Sequence, residues 1–265
     1  MNKKEFDSVD VGVALTSALK EEKDKSIKHE KLWKAISIAF SFLFIFAIII
    51  STVSLFHNCF YLNFYVNGLS MYPTLNSKGN YGRDHGSNSV GDVIEYGILN
   101  PNMHAIENIE RFDIVATYYP EDYNSSGQLL SSASMKIKRV IALPNETVYF
   151  DENGELYING EFVEQDFYNE FMNDDERDEQ YKKVTLNLGI SHTLGDDEYW
   201  VMGDNRGYIK GTKRARSNDC QAFQEPIKKD YIQGVLVAIE GTCTLSSENG
   251  TLSCTNRVPF FPRVF

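Results

Sequence analysis

The chain has 265 residues, 26 basic and 37 acidic side chains, and a formal net charge of −11. This acidic balance argues against non-specific nucleic-acid binding, which needs a basic surface to displace counterions from phosphate, and 42% hydrophobic residues exclude a wholly disordered chain. Four cysteines are too few for a disulfide scaffold.

The charge is unevenly spread. Residues Ala35 to Phe56 form a run of 22 with no charge and no proline. As a helix this run spans roughly 33 Å, enough to cross a hydrocarbon core of about 30 Å. Six lysines, from Lys20 to Lys34, precede it, and no Lys or Arg follows until Lys78. The positive-inside rule then predicts a cytoplasmic tail over 1–34, a single transmembrane helix over 35–56 and an extracytoplasmic domain over 57–265 in the cell membrane. A cleaved signal peptide fits less well, because the apolar run is long and SLFHNC offers no clean small-x-small site. Lys20 to Lys34, with its mixed charges, reads as a solvated helix or a disordered tail.

After Phe56 the sequence holds short β-type runs: YLNFYV, DIVATYY, KIKRVIAL, ETVYF, ELYING, KKVTLNL, EYWVMG and YIQGVLVAI. Gly, Asn, Asp and Pro separate them. Asp151 to Gly154 (DENG) lies between two such runs and signals a hairpin. The fold class expected is mainly β, an antiparallel sheet domain behind one N-terminal transmembrane helix. Two long loops are expected, at about 76–110 and at 164–179. The second carries eight acids against Arg177, and is read as a solvated excursion without the spacing of a calcium loop.

Ser70 lies in NGLSMYPTL, fewer than 20 residues past the apolar run. Alone it reads as a turn serine. A catalytic role needs a base, since a free serine is a poor nucleophile. The five histidines lie in no recognisable triad context. Lys138, in MKIKRVIALP, is the better partner. Strand alternation puts Lys136 and Lys138 on one face and Ile137 and Arg139 on the other. The plain reading is a solvent-facing basic strand. The alternative is a lysine buried beside the serine, where desolvation disfavours the ammonium and the neutral amine serves as general base. The third stretch, YWVMGDNR at Tyr199 to Arg206, ends a β run in a turn.

In this order the three stretches resemble the type I signal peptidase family of the prokaryotic Ser–Lys kind. SMYPTL is similar to its nucleophile motif, KRVIALP to its lysine motif and VMGDNR to its last motif. RFDIV at Arg111 to Val115 resembles a family strand with Phe112 where Gly is usual. NGELYING at Asn153 to Gly160 and KDYIQG at Lys229 to Gly234 extend the similarity. The resemblance implies Ser70 as nucleophile, Lys138 as general base, and the backbone N–H of Ser70 as oxyanion donor. Gly68 stands where some relatives carry an assisting hydroxyl. Met71 and Ile137 would line a shallow apolar site for the small residues of an A-x-A signal. Arg139 and Asp204 would form a structural pair. No cofactor and no metal are implied, and the partners would be preproteins with signal peptides and membrane lipid.

The last motif departs from the family. Arg206 is followed by GYIKGTKRAR, and Ser217-Asn218-Asp219-Cys220-Gln221 reads as the displaced end of the motif after an insertion of eight residues at about 207–216. On that alignment Ser217 would hydrogen-bond Lys138 and Asp219 would be a structural acid, while Cys220 and Gln221 replace the usual Ser and Arg. The basic insertion could be solvated, could meet anionic lipid or could pair with the acidic loop. Cys243 and Cys254 flank TLSSENGTLS, where a disulfide is feasible outside the cytoplasm. Pairing them also pairs Leu245 with Leu252 and leaves 247–250 as a four-residue loop. The terminal VPFFPRVF could rest at a membrane interface or pack on the domain. The function expected is a membrane-bound serine endopeptidase removing signal peptides at small-x-small sites. A non-catalytic assembly factor on the same fold, or a peptidase for a narrow substrate class, are the rivals.

Overall fold

The computed structural model describes residues 5–77, 89–165, 188–206, 225–248 and 251–265. The chain divides into two compact units, Met1–Cys59 and Phe60–Phe265.

The first unit is one α-helix, α1, over Glu5–Phe60. It begins well before the apolar run and takes in the polar segment. Glu21 pairs with Lys25 and Glu30 with Lys34, each at 2.8 Å. Both have the acid four residues N-terminal to the base, the better orientation on a helix. Across the apolar run the side chains, Phe42 and Phe44 among them, are exposed. A helix apolar on every face and uncovered by protein fits membrane anchoring.

The second unit is antiparallel β. Its strands are β1 (Leu62–Tyr65), β2 (Val93–Asn100), β3 (Ile114–Thr117), β4 (Lys136–Ala142), β5 (Thr147–Phe150), β6 (Leu156–Ile158), β7 (Glu161–Phe162), β8 (Ser191–Thr193), β9 (Glu198–Met202), β10 (Ile227–Lys228), β11 (Ile232–Glu248) and β12 (Thr251–Val264). A large sheet runs β1-β2-β11-β3-β4-β9-β10, with β12 also paired to β11, and a small one runs β7-β6-β5-β8. β11 is the hub. β2 lies along one edge of it, while β3 and then β12 share the other. Phe64, Leu99, Ile114, Leu236 and Ile239 form one core over the large sheet. Ile141, Phe150, Leu156, Trp200 and Met202 form another, which fastens the small sheet to β4 and β9.

Two expectations need correction. Residues 76–110 are not one loop, because they contain β2 and a short helix, α2 (Met103–Glu107). Six consecutive residues of β2 are buried, so the strand shows no apolar–polar alternation to mark it. The second correction is the register of the C-terminal hairpin. Leu245 pairs with Cys254 and Glu248 with Thr251, a shift of two from the expected pairing. Only Asn249 and Gly250 lie between the strands, the dipeptide that two-residue hairpin connections favour. Cys243 and Cys254 are bonded all the same. The terminal VPFFPRVF, up to Val264, is part of β12. Its Phe260 packs on the large-sheet core, while Phe261 is 93% exposed. The DENG turn joins β5 to β6 as expected, with Gly154 N–H donating to Asp151.

Candidate active site

β4 supplies two basic side chains to the site. It is paired on both sides, Val115 facing Lys138 on β3 and Met202 facing Arg139 on β9. Lys138 is only 3% exposed. Its Nζ donates to Ser70 Oγ at 2.8 Å and to the Ile137 carbonyl at 3.0 Å. Lys136, two residues earlier, is held elsewhere. It donates to Asp122 Oδ2 and lies 5.0 Å over the Tyr119 ring. Asp122 thus removes the competing lysine. Burial raises the Asp122 carboxyl, but hydrogen bonds from Lys136 and from the backbones of Tyr119 and Ser134, with the Lys136 charge, outweigh it and hold the group below its ordinary range.

Ser70 sits in a tight turn between β1 and β2. Tyr72 N–H donates to the Leu69 carbonyl and Leu75 N–H to that of Met71, around a cis Tyr72–Pro73 bond. Gly68 opens the turn at φ +123°, a conformation L side chains rarely adopt, though there is space around it. Backbone strain, not crowding, therefore bars a hydroxyl side chain at this position.

A buried network holds the turn to β4 and β9. Arg139 donates from Nε and one terminal nitrogen to the two oxygens of Asp204, at 2.8 and 2.7 Å. Thr74 donates its hydroxyl to Asp204 as well. Arg139 also donates to the Phe112 carbonyl at 2.7 Å. A bidentate pair with its remaining donors satisfied is what a buried ion pair requires. Beside it, burial raises the Asp113 carboxyl; a hydrogen bond from the Glu110 backbone lowers it, the Glu110 charge raises it further and the Arg139 charge pulls it down.

Asn205 was missed as a site residue, although it lies inside the GDN motif. Its backbone N–H donates to the Ser70 carbonyl at 3.0 Å and its side-chain amide to the Leu69 carbonyl at 3.0 Å. Thr74 was likewise inside a quoted motif. Asn76 and Glu95 carried no such signal. Asn76 donates its side-chain amide to the carbonyls of Val66 and Gly68, and exchanges two hydrogen bonds with the fully buried Glu95.

The structure therefore brings Ser70, Lys138, Arg139 and Asp204 together. Met71 is 1% exposed inside the large-sheet core, and Ile137 is partly buried against the same cluster. Ser217 and Asp219 lie outside the described residues.

The family model for signal peptidases, peptidase family S26, matches residues 36–239. Signal peptidase I V of Bacillus subtilis (strain 168) is 27% identical over 184 residues, 68% of this chain and 85% of that protein. Signal peptidase I S of the same organism is 29% identical over 162 residues, covering 60% of this chain and 71% of that protein. A crystal structure of a signal peptidase I from Enterococcus faecalis V583 is similar to 49% of this chain and 97% of its own, at 29% identity and a TM-score of 0.34. With three-quarters of its length matched and an antiparallel β domain behind an apolar helix, the chain belongs to the signal peptidase family of peptidases, S26.

Proposed function

We propose that the protein is a membrane-bound serine endopeptidase that removes signal peptides from exported preproteins, with Ser70 as nucleophile and Lys138 as general base. The observation that carries this reading is the 2.8 Å contact between Lys138 Nζ and Ser70 Oγ. In that geometry a neutral amine accepts the hydroxyl proton as Oγ attacks the scissile carbonyl. The backbone N–H of Ser70 donates to the oxyanion. The ammonium then gives its proton to the leaving amine, and the acyl-enzyme is hydrolysed by a water that the same amine activates. Arg139, Asp204 and Asn205 hold the nucleophile's turn, while the motif alignment gives Ser217 the role of a hydrogen-bond partner for Lys138 and Asp219 that of a structural acid. Ile137, with Met71 beneath it, borders the site for small side chains. The lysine-rich side of α1 keeps residues 1–34 in the cytoplasm, residues 35–56 span the membrane, and residues 57–265 work outside, next to lipid.

The test is cleavage of a preprotein with an Ala-x-Ala site by the full chain. Ser70→Ala and Lys138→Ala are each expected to abolish it, and full activity in either would overturn the dyad. Because the base must be unprotonated, kcat/KM is expected to rise from acid to mildly alkaline pH; a profile flat down to acid values would count against a lysine base.

A further inference from the structure

The family match ends at Ile239, yet the chain's C-terminal strand returns to the nucleophile's turn. Arg263 on β12 faces Ile239 on β11 and reaches across β11 to the far flank, where β2 carries Glu95. One arm of its guanidinium donates to Glu95 Oε2 at 2.6 Å. The other donates to the Thr74 carbonyl at 3.0 Å. The same Glu95 oxygen accepts from the Asn76 backbone N–H, and Asn76 in turn grips Val66 and Gly68. Arg263 thus touches the turn directly at Thr74 and indirectly at the residues just before Ser70.

We propose that Arg263 is a positioning residue for the nucleophile, a clasp that the C-terminal strand closes on the turn of residues 66–77. The physical reason lies in Glu95. Its carboxylate is fully buried, with Arg263 as its ion-pair partner among the described residues. Removing the guanidinium takes away that ion-pair partner and the donor to the Thr74 carbonyl at once. Glu95 then loses its fixed place, Asn76 with it, and the Ser70 hydroxyl drifts from Lys138. Misplacement of a reacting group by about 1 Å is enough to cost a large factor in rate. Arg263 acts through the turn, on Glu95 and the Thr74 carbonyl, so the expected loss falls on kcat more than on binding. This inference rests on Ser70 being the nucleophile.

The experiment measures kcat and KM separately, with the full chain in detergent micelles and a quenched peptide carrying an Ala-x-Ala site. Arg263→Ala is expected to lower kcat about tenfold or more with KM within about twofold. Arg263→Lys keeps the charge on Glu95 but lacks the second arm, and is expected to fall about threefold in kcat with the fold intact. If Arg263→Ala does not fold, Arg263→Lys alone decides. Parental kcat in a folded Arg263→Ala protein, with only its melting temperature lowered, would reduce Arg263 to a structural role and overturn the proposal. Parental kcat in Arg263→Lys, when the alanine variant is unfolded, would do the same. Ser70→Ala is assayed alongside. If it still cleaves, the nucleophile assignment fails first; if it is inactive while Arg263→Ala is unimpaired, only the clasp fails.

Discussion

Phe112 stands at φ +76°, the left-handed region that glycine occupies freely and a bulky side chain enters at a cost of about 1–2 kcal/mol. Its carbonyl must face Arg139 and its N–H must reach Val140, so the backbone has no freedom to relax. Its ring compensates by packing on the core beneath the small sheet. Phe112→Gly exchanges packing for relief of strain and is expected to change stability by less than about 1 kcal/mol. Phe112→Ala keeps the strain and loses the packing, and is expected to cost about 2 kcal/mol more than the glycine variant in urea denaturation. Asp204→Asn leaves the buried Arg139 charge uncompensated and is expected to cost about 3 kcal/mol by the same measurement, because the pair is almost fully desolvated. Ser70, Lys138, Arg139 and Asp204 were legible because each sits in a short contiguous motif. Glu95 and Arg263 were not, since their pairing joins residues 168 apart and neither has a local pattern around it.

Among the elements, the one-turn 3-10 helix Pro120–Asp122, which holds Lys136 of β4, carries an acid sensitivity of the fold. Asp122 is held below its ordinary carboxyl range in the folded chain, so the folded state releases its proton more readily than the unfolded one. The sign follows directly. The stabilisation is complete above the ordinary carboxyl range near pH 4 and is lost as pH falls through the lower, folded-state value. Asp122→Asn is expected to weaken that part of the acid dependence when denaturation midpoints are compared at pH 7 and pH 3. The variant also frees Lys136 from its partner. The strands themselves were read with uneven success. Alternating or β-branched runs such as those of β4 and β9 announced themselves, whereas β2 did not, being buried on both faces. The C-terminal hairpin was placed correctly and paired two residues out of register. A disulfide constrains which strands meet, while the dipeptide between them sets the register.

For the whole molecule, the division after Cys59 places every strand among the described residues, together with Ser70 and Lys138, in one unit. A fragment of residues 60–265 is therefore expected to show β-type circular dichroism and a cooperative thermal transition without α1; a molten spectrum would show that the helix is needed for folding. Within that unit the bond between Cys243 and Cys254, 11 residues apart, is expected to contribute about 2–3 kcal/mol. Its loss in a Cys243→Ser, Cys254→Ser protein is read as a lowered melting temperature. The net charge of −11 said little about the site, since eight of the acids lie in the 164–179 segment alone. The site itself is built from a few buried and mutually compensated groups.

The central place of β11 sets a timetable for the protein's own birth. β2 and β3 are separated in the sheet by a strand that the ribosome makes more than a hundred residues later. Until residues 232–248 have been synthesised, β2 and β3 have an empty slot between them. An emerging chain thus holds its serine and its lysine on two sides of an unfinished sheet. The contact between Ser70 and Lys138 is therefore expected to form only after β11 has been made and fills that slot.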